Sequence, residues 1–186
     1  RVLFRSDWQK KWMHGHALIT LKPHFYPMDT LVLDAKGMTL NSIKLSAGSW
    51  SQDTVPFTYD SLKIVIRPNR TFSRQDTIIV DIDYIARPDE RKTSGSDAIQ
   101  GDKGLYFINT DGKHPLKPRQ LWTQGETESN SCWFPTIESP AQKMTQDVFI
   151  DVDSGLVTLS NGLLVKTDYD GHGHKTDHWR QNLPAA

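Results

Sequence analysis

The stretch Thr77-Ile78-Ile79-Val80-Asp81-Ile82-Asp83-Tyr84-Ile85 decides the fold. From Val80 onward apolar and polar residues alternate, the period of a half-buried antiparallel strand whose side chains point in turn to core and solvent. Shorter runs of the same character surround it: His16-Ala17-Leu18-Ile19-Thr20-Leu21, Leu31-Val32-Leu33, Ser42-Ile43-Lys44-Leu45 and Leu62-Lys63-Ile64-Val65-Ile66. Turn signals at Pro27, Lys36-Gly37, Ala47-Gly48-Ser49 and Arg67-Pro68-Asn69 separate them. A second set follows at Gly104-Leu105-Tyr106-Phe107-Ile108, Asp147 to Val152 and Leu156-Val157-Thr158-Leu159, closing on Asp170-Gly171-His172-Gly173-His174. No long segment has helical spacing and no internal repeat is present. The pattern predicts an all-β, antiparallel β-sandwich. The charged, turn-rich stretch Arg87 to Lys103 reads as a long exposed loop within one domain spanning residues 1–186.

Composition narrows the function. The chain has 186 residues, with 22 Lys plus Arg against 22 Asp plus Glu, so no net charge remains. That balance argues against binding nucleic acid or an anionic membrane surface through a basic surplus. No apolar run approaches the roughly 20 residues of a membrane-spanning helix. One cysteine, Cys132, excludes an internal disulfide and, beside Trp133 and Phe134, reads as a small buried apolar residue. The chain begins at Arg1 and is expected to be a piece of a longer protein.

Histidines offer little as a metal site. His174 and His178 have the i, i+4 spacing of a helical zinc motif, but Lys175 stands where a metalloprotease needs the general-base Glu. Together with His172 they read as a solvated β-loop, and a metal enzyme built on these three is the minor alternative. His14 and His16 would share one strand face, two imidazoles without a third ligand. No Gly-x-Ser-x-Gly elbow and no glycine-rich phosphate loop occur. Asn69-Arg70-Thr71 is a glycosylation sequon of a kind that arises often by chance.

The segment Gln120 to Met144 is richer. Gln124, Glu126 and Glu128 repeat at period two between Trp122 and Trp133-Phe134. Two carboxylates and an amide beside aromatic walls suit an ammonium group. Residue types alone favour a solvated strand end over such a site, and both readings stand. If the segment stays extended, Glu128 shares a face with Glu126.

Gly104-Leu105-Tyr106, Thr123-Gln124-Gly125-Glu126 and Phe134-Pro135-Thr136-Ile137-Glu138-Ser139-Pro140 with Lys143 together resemble the N-terminal domain of the M1 family of zinc aminopeptidases. Leu31-Val32-Leu33-Asp34-Ala35 and Leu159-Ser160-Asn161-Gly162 are similar to further landmarks, so the likeness covers nearly the whole chain. It departs at Ser131-Cys132, where many members carry two arginines, at Glu138 in place of Asp, and at Gly125, smaller than the usual residue. The resemblance implies a saddle-like β domain forming one wall of the active site. A thermolysin-like domain carrying zinc is expected beyond residue 186, since the His-Glu-x-x-His signature is missing here. It also implies that Gln124 shapes the pocket for the first substrate side chain and that Glu126 anchors the free amino terminus of a peptide. His178 to Ala186 resembles the lead-in to the domain's last strand. A chain lacking that strand is expected to expose a sheet edge and to self-associate through it. On this reading the chain alone has no enzymatic activity and its full-length parent is a zinc aminopeptidase. The competing function is a free-standing β-sandwich module for carbohydrate or protein, with Trp50 and Trp122 as stacking platforms.

Overall fold

In β8 (Ile78–Ala86), the stretch quoted first, Ile78, Val80, Ile82, Tyr84 and Ala86 are fully buried, whereas Ile79 and Asp83 face solvent. The computed structural model describes residues 1–91 and 103–185. Before β8 come β1 (Val2–Asp7), β2 (Trp12–Leu21), β3 (Leu31–Asp34), β4 (Met38–Ala47), β5 (Trp50–Gln52), β6 (Phe57–Tyr59) and β7 (Lys63–Ile66). After it follow β9 (Leu105–Ile108), β10 (Gln120–Thr123), β11 (Met144–Asp153), β12 (Leu163–Tyr169) and β13 (His174–Ala185). The only helical turns among the described residues are two short 3₁₀ turns, Pro88–Glu90 and Asn130–Cys132.

Eight strands form one sheet in the order β12-β13-β11-β1-β2-β8-β4-β5. A three-stranded sheet, β3-β7-β6, and a ribbon, β9-β10, complete the domain. Leu31, Leu33, Ile64 and Ile66 of the small sheet join Met13, Ala17, Ile43, Leu45 and the inner face of β8 in one buried cluster. Each leucine, isoleucine, valine or methionine among them contributes about 1.5–3 kcal/mol by leaving water, which makes alternation in β8 the main specifier of register.

The all-β sandwich expected from the sequence is therefore present, with two adjustments. β1 pairs with β11 in parallel, Val2 opposite Val148, because more than a hundred residues separate them and no hairpin constrains their direction. Leu156 to Leu159 is not a strand, and Val157 and Leu159 are 95% and 84% exposed. The segment read as a lead-in, His178 onward, belongs to β13: His178 to Arg180 pair on both sides, with β11 and β12, and beyond them Gln181 and Ala185 pair with β11 alone. Of the loop expected over 87–103, residues 92–102 lie outside the described residues. Its ends are tied down, Asp89 taking ion pairs from Lys11 at 3.2 Å and Lys103 at 2.7 Å.

The β11-β13-β12 wing of the large sheet carries few buried apolar residues. Its interior is polar instead. Asp177, 2% exposed, accepts hydrogen bonds from Thr158 Oγ1 at 2.7 Å and Thr167 Oγ1 at 2.6 Å, and pairs with Lys175 at 2.9 Å. Burial pushes this carboxyl up, but the bonds from Thr167, Thr158 and Lys175 outweigh it and hold its pKa below the ordinary carboxylate range.

Three substitutions test this packing. Gly15 lies opposite Tyr84 in the β2–β8 pair, and a Cβ there would overlap the buried ring. Gly15→Ala should cost about 1–3 kcal/mol in urea unfolding, as overpacking does. Tyr84→Phe should be neutral or slightly stabilising, because the buried hydroxyl has no hydrogen-bond partner among the described residues. Asp177→Asn should cost about 1–3 kcal/mol at pH 7 by weakening charge-assisted bonds. A depressed carboxyl stabilises the fold above its unfolded pKa of about 3.9 and loses that contribution as pH falls through the folded value. The difference between wild type and Asp177→Asn should therefore shrink on acidification below about pH 4.

Candidate functional site

Asp34, the last residue of β3, is the tie on which the site is built. Its N–H donates to the Thr136 carbonyl at 2.8 Å, and Thr136 N–H donates back to the Asp34 carbonyl at 3.0 Å. The Asp34 carboxylate accepts from Glu138 N–H at 3.1 Å and pairs with Lys63 at 3.4 Å. Two segments about a hundred residues apart, each singled out in the sequence, are thus joined at one residue. Beside them Lys36 N–H donates to the Ser131 carbonyl at 2.7 Å, Glu138 Oε1 accepts from Ser131 N–H, and Lys36 Nζ donates to the Glu128 carbonyl.

Gln124 and Glu126 leave this frame at the end of β10. Gln124 N–H donates to the Gly104 carbonyl at 2.9 Å, so Gln124 extends the ladder one residue past Thr123 and is half-buried. Glu126 is exposed. The chain then turns, with Ser129 N–H bonded to the Gly125 carbonyl at 2.9 Å and Glu128 in the left-handed region at φ 57°. The extended conformation that would put Glu128 on the face of Glu126 is not adopted, because this turn intervenes. Gly104, at φ +68°, has no room for a side chain: a Cβ would collide with the Ser129 carbonyl and press on Cys132. Gly125 is likewise covered by the Asn130 side chain.

On the inner face of the ribbon Leu105 is fully buried, and Phe107 and Leu121 pack against the core. The opposite face carries Tyr106 and Trp122, directly paired across the strands with ring centroids 5.6 Å apart and planes inclined by 43°. Cys132 is buried as expected, and Arg91 Nη1 donates to its Sγ. Arg91, Lys36 and Asp34 were not singled out as site residues in the sequence. Lys36 stood in a turn signal and Arg91 in a charged loop, and only Asp34 lay within a landmark.

The other candidates are not brought together in one cluster. His174 and His178 lie on β13, where a four-residue step spans about 13 Å rather than one helical turn. His178 stacks on Phe149 at 4.1 Å and shares a hydrogen bond with Asp147 at 2.5 Å, while His172 sits in the turn before β13. Among the described residues no three His, Cys, Asp or Glu side chains converge as a metal site. His16 pairs with Asp81 at 2.8 Å, and Asn69 sits in an exposed bend. Trp50 packs edge-on against Phe72 at 5.3 Å, so only Trp122, at 50% exposure, presents a ring to solvent as a platform would. No helix among the described residues is long and apolar enough to cross a membrane.

This architecture, an eight-stranded sheet with a three-stranded sheet and a two-stranded ribbon, is shared with solved metallopeptidases. A two-domain M1 zinc metallopeptidase variant bound to L-arginine superposes with a TM-score of 0.75 at 17% identity, covering 98% of this chain and 38% of that one. The M1 zinc metallopeptidase from Deinococcus radiodurans gives 0.75 at 16% identity with the same coverage. The profile of the peptidase M1 N-terminal domain matches residues 2–186, and the chain belongs to that family. Among curated proteins, transcription initiation factor TFIID subunit 2 from Gallus gallus is 31% identical over 86 residues, which is 45% of this chain and 7% of that protein. The same subunit from Danio rerio is 29% identical over 86 residues. The chain thus spans a small part of its curated relatives and little more than a third of the structural ones.

Gly104→Ala tests the clamp behind the loop. It should destabilise the domain by about 2 kcal/mol or more, since it combines strain at positive φ with a backbone collision. Urea unfolding reads the loss, and faster amide exchange at Gln124 and Ser129 than elsewhere would locate it.

Proposed function

We propose that this chain is the substrate-recognition wall of an M1-type zinc aminopeptidase, with Glu126 anchoring the free amino terminus of a peptide and Gln124 shaping the pocket for its first side chain. The observation that carries the reading is the pairing of a ladder-held Gln124 with an exposed Glu126 on a loop clamped from behind by Lys36 and by the Asp34–Glu138 tie. An α-ammonium offers three donors, and a carboxylate accepts them as charge-assisted bonds. Anchoring the terminus fixes how far along the chain the scissile bond lies, which makes the reaction an exopeptidase one by geometry.

Zinc would supply the activated water and polarise the scissile carbonyl. Among the described residues no three His, Cys, Asp or Glu side chains converge to hold it; on this reading a thermolysin-like domain of the same polypeptide beyond residue 186 carries it. The exposed apolar side chains of Val157, Leu159, Leu163, Leu164 and Leu183 support a neighbouring domain on that wing. Self-association through the exposed edge β12 is the competing use of this surface. The irregularity between Leu164 and Lys166, and Lys166 itself, oppose it, because bulges and charges blunt edge pairing.

Glu126→Gln in the full-length protein is the test. A charge-assisted bond is worth about 1.5–3 kcal/mol and each 1.36 kcal/mol is about tenfold in rate. kcat/KM on a peptide amide with a free terminus should therefore fall roughly ten- to a hundredfold, while Glu128→Gln, beyond the turn, should change little. The N-acetylated twin is the reference substrate. Undiminished cleavage by Glu126→Gln, with discrimination against the acetylated peptide intact, would remove Glu126 from the site.

A further inference from the structure

We infer that Trp122, backed by Tyr106, extends the pocket begun by Gln124 and makes the enzyme selective for peptides whose first residue is large and apolar or aromatic. The inference rests on the reading of Gln124 and Glu126 given above. In a β-ladder residues two apart share a face and stand about 6.7 Å apart. Gln124 continues the ladder of β10 through its bond to Gly104, so it falls on the face of Trp122 rather than on that of Leu121. Tyr106 lies directly across from Trp122 on that face. A first side chain as short as alanine, with its α-ammonium at Glu126, reaches Gln124 and stops there. A phenylalanine, leucine or methionine side chain is long enough to continue onto the Trp122 ring.

The ring is suited to that contact. It is half exposed, it leans on Tyr106 at 5.6 Å, and its strand is fixed from beneath by Leu121 against the core. It is thus held in place before any ligand arrives, which lowers the ordering cost of binding. A tilted aromatic pair with one ring half in water also gains by covering that ring with apolar surface.

The experiment compares kcat/KM of the full-length enzyme on aminoacyl amides with alanine, leucine, phenylalanine and arginine first, in wild type, Trp122→Ala, Trp122→Phe and Glu126→Gln. Trp122→Ala should lose about tenfold on the leucine and phenylalanine substrates, the size of one aromatic contact, mainly through KM, and less than twofold on alanine. Trp122→Phe should restore most of the loss. An equal loss on every substrate, no loss at all, or a loss confined to arginine would each overturn the inference. Glu126→Gln separates the two readings. If it is impaired while Trp122→Ala is flat, only the pocket assignment fails. If it is unimpaired, the site itself is misplaced.

Discussion

The backbone exchange between Asp34 and Thr136, with the Asp34 carboxylate closed on Glu138 N–H, is the contact on which the placement of the candidate site depends. It links a strand of the small sheet to the segment following the Gln124–Glu126 turn. Everything between Gly104 and Ser139 is loop, ribbon and a single 3₁₀ turn, with little core of its own. Such a stretch adopts one conformation only if its ends are held, because closing a loop costs entropy that local contacts must exceed. Asp34 holds one end, the Gly104 carbonyl holds the other through Gln124, and Lys36 bridges the middle. All three reach back to backbone groups, which makes the geometry insensitive to many side-chain changes along the loop.

The three departures from the family pattern become intelligible in this frame. Glu138 is one methylene longer than Asp, and its carboxylate reaches the Ser131 N–H, so a backbone amide is satisfied where many members have a long cationic side chain. Arg91, arriving from another segment, places a guanidinium against Cys132, so positive charge stands next to a position where the family often supplies its own. Gly125 lies under the Asn130 side chain, and the larger residue common elsewhere would displace it. Each departure is locally compensated by a neighbour, as expected where packing rather than residue identity sets the constraint.

The sheet itself divides into two regimes. Around β8 burial is apolar and complete, whereas in the β11-β13-β12 wing the most buried residue is Asp177 with its hydroxyl and ammonium partners. An ion pair needs those partners in place to offset its desolvation, so the wing is held by geometry more than by area. Apolar side chains of the wing, Leu163, Leu164 and Leu183 among them, are instead left exposed.

The sequence by itself determined the strands around the core, because a two-residue period such as Val80 to Ile85 is a local property that burial then enforces. It also singled out Gln124 and Glu126, since their residue types and family-like neighbours sit close together in the chain. The parallel pairing of β1 with β11, the failure of Leu156 to Leu159 to form a strand, and the turn that separates Glu128 from Glu126 were decided only by tertiary structure. So were the roles of Asp34, Lys36 and Arg91, and the juxtaposition of Tyr106 with Trp122. These depend on contacts between residues far apart in sequence, where no periodicity announces the partner and a hydrogen bond to a distant carbonyl can be offered by almost any residue type.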